Sequence, residues 1–256
     1  MSEEQAVLTE RRERILVIKL NRPEQRNAVN AAVAAGIAVA LDLLDSDGEL
    51  SLGVLTGEGK GFCAGMDLKA FVAGESPHVG DRGFAGITRR ASAKPLIAAI
   101  EGFAVAGGLE IALACDLIVA ARGARLGIPE VKRSLVAAGG ALLRLPRAVP
   151  RAIAMELALT GDPITAERAH ELGLLNRLAE PGLALETALE LADAIAVNGP
   201  LALAATKRIM VESVDWPEHE FFERQAEIAG PVMSSEDARE GARAFAEKRP
   251  PQWRGR

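Results

Sequence analysis

The chain has 256 residues, of which 49% are hydrophobic but only 4% aromatic, so it can bury the aliphatic core of one large α/β domain. Its net charge of −5 argues against a nucleic-acid-binding protein that relies on a general basic surface. The N-terminal segment has no apolar signal core, and no charge-free apolar stretch approaches about 20 residues. We therefore expect a cytoplasmic protein without a transmembrane helix.

The first βαβ unit can be followed along the N-terminal residues. Val7–Thr9 and Ile15–Leu20 predict a hairpin, because a short charged turn joins them. Asn30 is a suitable N-cap for an amphipathic helix, and Leu52–Leu55 predicts the next strand. The glycine-rich segment Gly57–Gly61 is not a phosphate-binding loop, since its Gly-Lys pair is not followed by Ser or Thr.

The next segments lead to the centre of the chain. Asp67 is expected to begin a short helix, with helix capping as its simplest role. Residues 73–83 are polar and contain Gly and Pro, which predicts a mobile loop with the character of a lid. Phe84–Ala91 predicts a helix, and Pro95–Ile100 predicts a buried strand.

The segment from Glu101 to Glu130 contains the most informative pattern. Gly107-Gly108 leads into a helix over Leu109–Ala114, and the N–H groups at a helix start lack internal partners and favour negative charge. Glu110 lies in the first turn of that helix. A second carboxylate, Glu130, follows Pro129 twenty residues later. An oxyanion site beside two carboxylates suits a reaction that passes through an enolate with general acid–base catalysis. The alternative is structural, with Glu110 compensating the helix dipole and the glycines serving packing.

The rest of the chain becomes progressively helical. Leu117–Ala121 predicts a second buried strand, Ala148–Leu159 and Ala166–Leu172 predict helices, and Leu174–Leu178 predicts a last short strand. From residue 183 the apolar period is helical throughout. We therefore expect an α/β core over residues 1–182 and a helical C-terminal region over residues 183–256.

The cysteines and histidines form no recognisable site. Cys63 and Cys115 fit no metal-ligand spacing and are predicted to be buried free thiols. His78, His170 and His219 are isolated, so we expect them on the surface or in loops. No metal site is predicted.

Several segments together resemble the enoyl-CoA hydratase/isomerase (crotonase) family, and most closely its hydratases. They are AVAGGLEIALACDLIVA (residues 104–120), GKGFCAGMDLKAF (Gly59–Phe71) and LNRPEQRNAVN (Leu20–Asn30). The resemblance spans nearly the whole chain. It implies an α/β fold built as a spiral of β-β-α units, with C-terminal helices that pack between the subunits of a homotrimer or homohexamer.

The resemblance also implies a catalytic site. The backbone N–H groups of Ala64 and Gly107 would hold the thioester oxygen of an acyl-CoA, and Glu110 and Glu130 would grip one water molecule. The implied reaction is the reversible addition of water to a 2-trans-enoyl-CoA, which gives a 3-hydroxyacyl-CoA. No cofactor is implied, because coenzyme A is part of the substrate.

A groove for coenzyme A is implied in the same way. Its residues would be Arg26, Ala28, Ala64, Gly65, Met66, Asp67 and Leu68. Arg22 and Arg26 offer charge-assisted contacts to phosphate, although Arg22 equally suits the anchoring of a turn. Lys248 and Arg249 are candidates for a phosphate contact from a neighbouring subunit, or for a solvated tail.

Three residues depart from the hydratase pattern. Ala138 stands where hydratases usually have a glycine, and Lys132 and Arg133 replace residues that are more often apolar. These departures keep two alternatives open: another acyl-CoA enzyme of the family, such as an isomerase or a dehydratase of a polar acyl-CoA like carnitinyl-CoA, and a non-catalytic acyl-CoA-binding protein. Neither a nucleic acid nor a membrane is expected as a partner.

Overall fold

The apolar runs of the sequence form strands at the centre of the molecule. The computed structural model describes residues 5–256. Within them the strands are β1 (Val7–Arg12), β2 (Ile15–Leu20), β3 (Leu52–Gly57), β4 (His78–Val79), β5 (Gly83–Phe84), β6 (Leu96–Ile100), β7 (Phe103–Val105), β8 (Leu117–Ala121), β9 (Arg125–Gly127), β10 (Ile164–Thr165) and β11 (Arg177–Ala179).

Helices surround these strands and make up most of the C-terminal third. They are α1 (Ala31–Ser46), α2 (Leu68–Val72), α3 (Gly107–Ala114), α4 (Ala141–Ala148), α5 (Arg151–Thr160), α6 (Ala166–Glu171), α7 (Ala184–Ala196), α8 (Pro200–Glu212), α9 (Phe221–Met233) and α10 (Glu236–Glu247). Short 3₁₀ helices also occur, and the one that matters for the site is Pro129–Arg133.

The main sheet is covered on both faces. Its six strands run in the order β1-β2-β3-β6-β8-β11, and all pairs are parallel except β1 with β2. Leu16 and Ile18 of β2 point into the larger core, whereas Ile15 and Val17 point to the opposite face. Burial on both faces explains why these strands read as continuous apolar runs.

Helix α7 closes the second face of the sheet. Its Ala184, Ala188 and Ala192 are fully buried against the strands, and their small side chains let the helix approach closely. The helical C-terminal region therefore begins with a helix that is part of the core packing, and α8 to α10 follow it. The division at residue 183 stays a prediction.

A second, smaller sheet brings the key loops together. It has the order β10-β9-β7, and Cys63 forms an isolated parallel bridge with Ala104 of β7. Strand pairs β6-β7 and β8-β9 each place one strand in each sheet, and α3 follows the first pair. As a result the segment after Cys63 runs beside the segment that enters α3.

Several expectations are confirmed. The β1–β2 hairpin forms as predicted, and the Asn30 side chain caps α1 by accepting a hydrogen bond from the Val33 N–H at 3.1 Å. Asp67 caps α2 by accepting from the N–H groups of Lys69 and Ala70. Cys63 is a buried free thiol, and burial raises its pKa to about 12; Cys115 is also buried and free.

The predicted helix over Phe84–Ala91 is wrong. Phe84 instead ends β5, which pairs with β4, so part of the predicted loop over residues 73–83 is a small hairpin. Ala85 and Gly86 then have φ values of 53° and 69°, which no right-handed helix accepts. A Cβ at Gly86 would lie 2.4 Å from the Ala34 carbonyl oxygen, so the close approach to α1 fixes this turn.

The helix predicted over Ala148–Leu159 is confirmed as α5, although it begins later, at Arg151, directly after Pro150. Helix α4, from Ala141 to Ala148 with Pro146 inside it, precedes α5 and was not predicted. A proline next to a helix start fixes the backbone that separates the two. The strand predicted over Leu174–Leu178 lies later, at Arg177–Ala179.

Among the described residues, no single helix is long and apolar enough to cross a membrane. Only the pair Ala184–Ala196 and Pro200–Asp215 passes by length and composition, and it is bent by 106°.

Candidate active site

A cavity of about 470 Å³ opens where three segments meet. One wall is the segment after Cys63, which includes Met66 and Leu68. A second is the junction of β7 with α3, which includes Gly107 and Glu110. The third is the chain from Pro129 to Gly139. The cavity therefore lies at the meeting point that the two sheets create.

The backbone amides of Met66 and Gly107 lie at this cavity and have no hydrogen-bond partner among the described residues. The Ala64 N–H, in contrast, donates to the Arg26 carbonyl at 3.0 Å, and the Gly65 N–H points to the Cys63 sulfur at 3.3 Å. The Ala64 amide expected from sequence is therefore already engaged, and Met66 supplies the free donor beside Gly107.

Close backbone packing brings these two amides together. A Cβ on Gly65 would lie 2.9 Å from the Gly107 nitrogen, and a Cβ on Gly108 would lie 2.1 Å from the Cys63 carbonyl oxygen. Ala106, directly before α3, has φ 53° and ψ −131°, a conformation that costs about 1–3 kcal/mol. Gly65 and Gly108 therefore allow the two segments to approach closely, and the strained Ala106 sets the direction in which the chain enters α3.

Glu110 is buried at the same cavity, with 4% of its surface exposed. Burial raises its pKa, because a charged carboxylate loses solvation there. The N–H groups of Ala141, Gly139 and Gly140 oppose this rise, as does the positive charge of Arg144. The Ala141 N–H donates to Glu110 Oε1 at 3.2 Å.

Glu130 lies on the 3₁₀ helix across the cavity. Its Oε2 is a buried oxygen without a hydrogen-bond partner among the described residues. Burial raises the pKa of Glu130, and the negative charge of Glu110 raises it further. An unpaired buried acceptor is costly unless a water or a ligand group satisfies it. The two carboxylates therefore line one cavity, and Glu130 has an oxygen that a small polar molecule can satisfy.

The residues expected to line a coenzyme A groove divide into two groups. Four of them line the cavity (Arg26, Ala64, Met66 and Leu68), whereas three are not among its lining residues (Ala28, Gly65 and Asp67). The Arg26 guanidinium lies 4.5 Å from the centre of the Phe103 ring. Arg22 instead anchors a turn. It pairs with Asp67 at 3.0 Å and donates to the Ala28 carbonyl at 2.6 Å.

The basic residues singled out in the sequence analysis have different surroundings: some form ion pairs and one lines the cavity. Lys132 forms an ion pair with Asp162, whereas Arg133 lines the cavity. Arg249 bonds to Glu240 at 2.6 Å and to Glu247 at 2.6 Å within the same chain. Ala138 lines the cavity, so its methyl group does affect the shape of the site.

One site residue was missed by the sequence interpretation. His78 is exposed, as expected, but it also lines the cavity, with its ring edge-on to Phe84 at 5.8 Å. It enters the site only because the β4–β5 hairpin folds towards the cavity, and no local pattern signals that pairing. His170 and His219 lie elsewhere, the former 3.1 Å from the Leu175 carbonyl oxygen.

Comparison with known proteins identifies the family. The family model described as enoyl-CoA hydratase/isomerase matches residues 10–256. The chain belongs to this family.

Its relatives cover nearly the whole chain. A crystal structure of the enoyl-CoA hydratase EchA1 from Mycobacterium marinum superposes with a TM-score of 0.97 at 61% identity, covering 99% of this chain and 100% of that one. Enoyl-CoA hydratase EchA19 of Mycobacterium tuberculosis is 45% identical, covering 97% of this chain and 96% of the relative. Carnitinyl-CoA dehydratase of Salmonella typhi is 42% identical, covering 94% and 95%. The expected crotonase-type α/β fold is confirmed.

Gly139→Ala should disable the site without unfolding the protein. A Cβ at residue 139 would lie 2.4 Å from Glu110 Oε2, so the carboxylate must move. A displacement of about 1 Å costs about 10²-fold in rate in well-oriented sites, and we expect at least that loss in kcat/KM for enoyl-CoA hydration.

Gly48→Ala is the matched control, because nothing lies within 4 Å of its added Cβ. Thermal unfolding midpoints measured beside the kinetics separate a local from a global effect. Activity of Gly139→Ala within a factor of about two of the control would contradict the proximity of residue 139 to a working Glu110.

The raised pKa of Glu110 also predicts a pH-dependent stability difference. The folded state holds this proton more tightly than the unfolded chain, so the stability that it contributes is lost as pH rises through the folded pKa. Glu110→Gln removes this loss. We expect its unfolding midpoint, relative to wild type, to increase from pH 4.5 to pH 8, with the exposed Glu156→Gln as control. An unchanged or falling difference would contradict a buried, destabilising carboxylate.

Proposed function

We propose that the protein is an enoyl-CoA hydratase, which adds water reversibly to a 2-trans-enoyl-CoA and gives a 3-hydroxyacyl-CoA. The supporting observation is that two carboxylates, Glu110 and Glu130, line one cavity beside two free backbone amides. The unpaired buried oxygen of Glu130 suits a bound water molecule.

In the proposed mechanism the Met66 and Gly107 N–H groups hold the thioester oxygen. Negative charge gathers on that oxygen when a nucleophile adds to Cβ, and the start of α3 stabilises it further. Removing one such donor typically costs about 10²–10³ in rate. The donor pair uses Met66 in place of the Ala64 amide, because Ala64 is bonded to Arg26.

Proton transfer falls to the two glutamates. One carboxylate removes a proton from water while the water oxygen bonds to Cβ. The other carboxyl group delivers a proton to Cα, so that water is added across the double bond. Burial raises the pKa of both groups, and the negative charge of Glu110 raises the pKa of Glu130 further, which favours their use as proton-transfer groups. Either assignment of acid and base agrees with the geometry.

Coenzyme A would leave the cavity along the Met66–Leu68 wall. Arg26 lies at that wall and can contact phosphate, while Leu68 and Phe71 offer apolar surface. The acyl chain would occupy the part lined by Leu135, Val136 and Ala138. In this proposal the substrate brings the coenzyme, and the reaction needs no other cofactor.

A dehydratase of a polar acyl-CoA is the second candidate. A relative named carnitinyl-CoA dehydratase is 42% identical to this chain, and such a reaction uses the same carboxylates in reverse. Ala138 lines the acyl region at a position where hydratases usually have a glycine, so it gives that region a shape that a simple hydratase does not require.

We also propose a homotrimer or homohexamer held together by the C-terminal helices. Large apolar side chains on α8 to α10 are well exposed in the single chain: Met210 69%, Phe222 77%, Met233 77% and Phe245 89%. Exposed apolar clusters of this kind are typical of subunit contacts. A cytoplasmic location, without nucleic-acid or membrane partners, stays a prediction.

The assay for this function follows loss of the conjugated thioester absorbance of crotonyl-CoA. We expect rapid loss with wild type and a decrease of at least about 10²-fold in both Glu110→Gln and Glu130→Gln, since each removes one proton-transfer group. Glu156→Gln controls for loss of a surface charge. Turnover that survives in either site variant would contradict the two-glutamate mechanism. Tight binding of thioesters without any turnover would favour a binding protein.

A further inference from the structure

The cavity is lined by basic as well as acidic side chains. Apart from Glu110 and Glu130, the ionisable groups in the lining are the basic side chains of Arg26, His78 and Arg133. Arg26 lies against the Phe103 ring on the coenzyme wall. Arg133 lies on a different segment, the 3₁₀ helix that also carries Glu130.

Arg133 carries a positive charge without a partner. Among residues 5–256, no carboxylate or carbonyl oxygen lies within bonding distance of its guanidinium, whereas the adjacent Lys132 is held by Asp162. Burial and the negative charge of Glu110 both raise the pKa of Glu130. Arg133 forms no ion pair with Glu130, although both residues line the cavity. The guanidinium is therefore available to a ligand.

The position of Arg133 relates it to the acyl chain. It follows Glu130 by three residues on one 3₁₀ helix, in which side chains three residues apart lie above one another. With the thioester oxygen at Met66 and Gly107, and Cβ at Glu130, the atoms beyond Cβ continue towards Arg133. Leu135 and Val136 also line this part of the cavity, and they are 42% and 68% exposed, so the guanidinium lies where the cavity opens to solvent.

We infer that Arg133 determines substrate class: it selects 2-enoyl-CoA thioesters whose acyl chain ends in a carboxylate and disfavours those that carry a quaternary ammonium. The inference rests on the proposed function, because that function sets Cβ beside Glu130. A guanidinium binds a carboxylate through two parallel hydrogen bonds, which fix both its position and its orientation. A trimethylammonium group at the same place would meet a like charge without a nearby counter-ion.

The test compares three end groups on 2-enoyl-CoA thioesters of matched length. Each carboxylate-ended thioester, with one to three methylenes beyond the double bond, is paired with its methyl-ended analogue, and a trimethylammonium-ended thioester is the third substrate. For the best-fitting length we expect Arg133→Met to lower the carboxylate-to-methyl ratio of kcat/KM about tenfold, the usual worth of one charge-assisted contact. The same variant should raise kcat/KM for the trimethylammonium substrate.

Two further variants sharpen this test. Arg133→Lys should retain part of the preference, because lysine keeps the positive charge. It should lose the rest, because an ammonium group cannot form the two parallel hydrogen bonds of a guanidinium. Lys132→Met removes a neighbouring charge that is already paired with Asp162, so it should leave the ratio unchanged. Equal ratios in wild type and Arg133→Met at every chain length, or a wild-type preference for the trimethylammonium substrate, would overturn the inference.

Binding separates this inference from the proposed function. Dissociation constants of saturated carboxyacyl-CoA and acyl-CoA thioesters, measured by calorimetry, do not depend on turnover. If no thioester is hydrated but Arg133→Met weakens carboxyacyl-CoA binding about tenfold relative to acyl-CoA, the proposed function fails and the selection by Arg133 stands. If hydration occurs and the binding ratio is unchanged, only the selection fails.

Discussion

The site depends on one close backbone approach, between the segment after Cys63 and the start of α3. The bridge from Cys63 to Ala104 aligns the two segments, and glycine at positions 65 and 108 removes the side chains that would keep them apart. The amides of Met66 and Gly107, which have no hydrogen-bond partner among the described residues, then lie at one cavity. Side-chain substitution does not remove a backbone donor, so the positions of these donors depend on the small residues around them and on Ala106. The strained backbone of Ala106 costs free energy of folding, which the packing of the surrounding core offsets.

The buried carboxylates are a second local cost. Desolvation raises the pKa of both Glu110 and Glu130, and only Glu110 receives backbone donors from residues 139–141. Arg144 holds that loop by donating to the Thr88 carbonyl at 2.6 Å, and its charge opposes the rise at Glu110. Glu130 keeps an oxygen that only a ligand or a water can satisfy. Such arrangements are typical of sites where stability is lost to gain function.

Much of the fold could be predicted from sequence, because the main strands are apolar runs covered on both faces and the helices carry clear caps such as Asn30. The elements that were mispredicted depend on tertiary contacts. Residues 84–91 have a helical composition, yet the packing of Gly86 on α1 sets a turn. The resemblance already suggested Glu110, Glu130 and Gly107 as site residues. The proposal of Met66 in place of Ala64 rests on the hydrogen bond from Ala64 to Arg26, and the position of His78 depends on the short β4–β5 hairpin. Neither leaves a local sequence signal.

The most direct test of this account is a crystal structure of the protein with butyryl-CoA, a saturated thioester that cannot be hydrated. The account predicts the thioester oxygen within about 2.7–3.1 Å of both the Met66 and Gly107 nitrogens, with the acyl Cβ beside Glu130. An oxygen bound to the Ala64 amide, or a thioester that lies away from the start of α3, would contradict it.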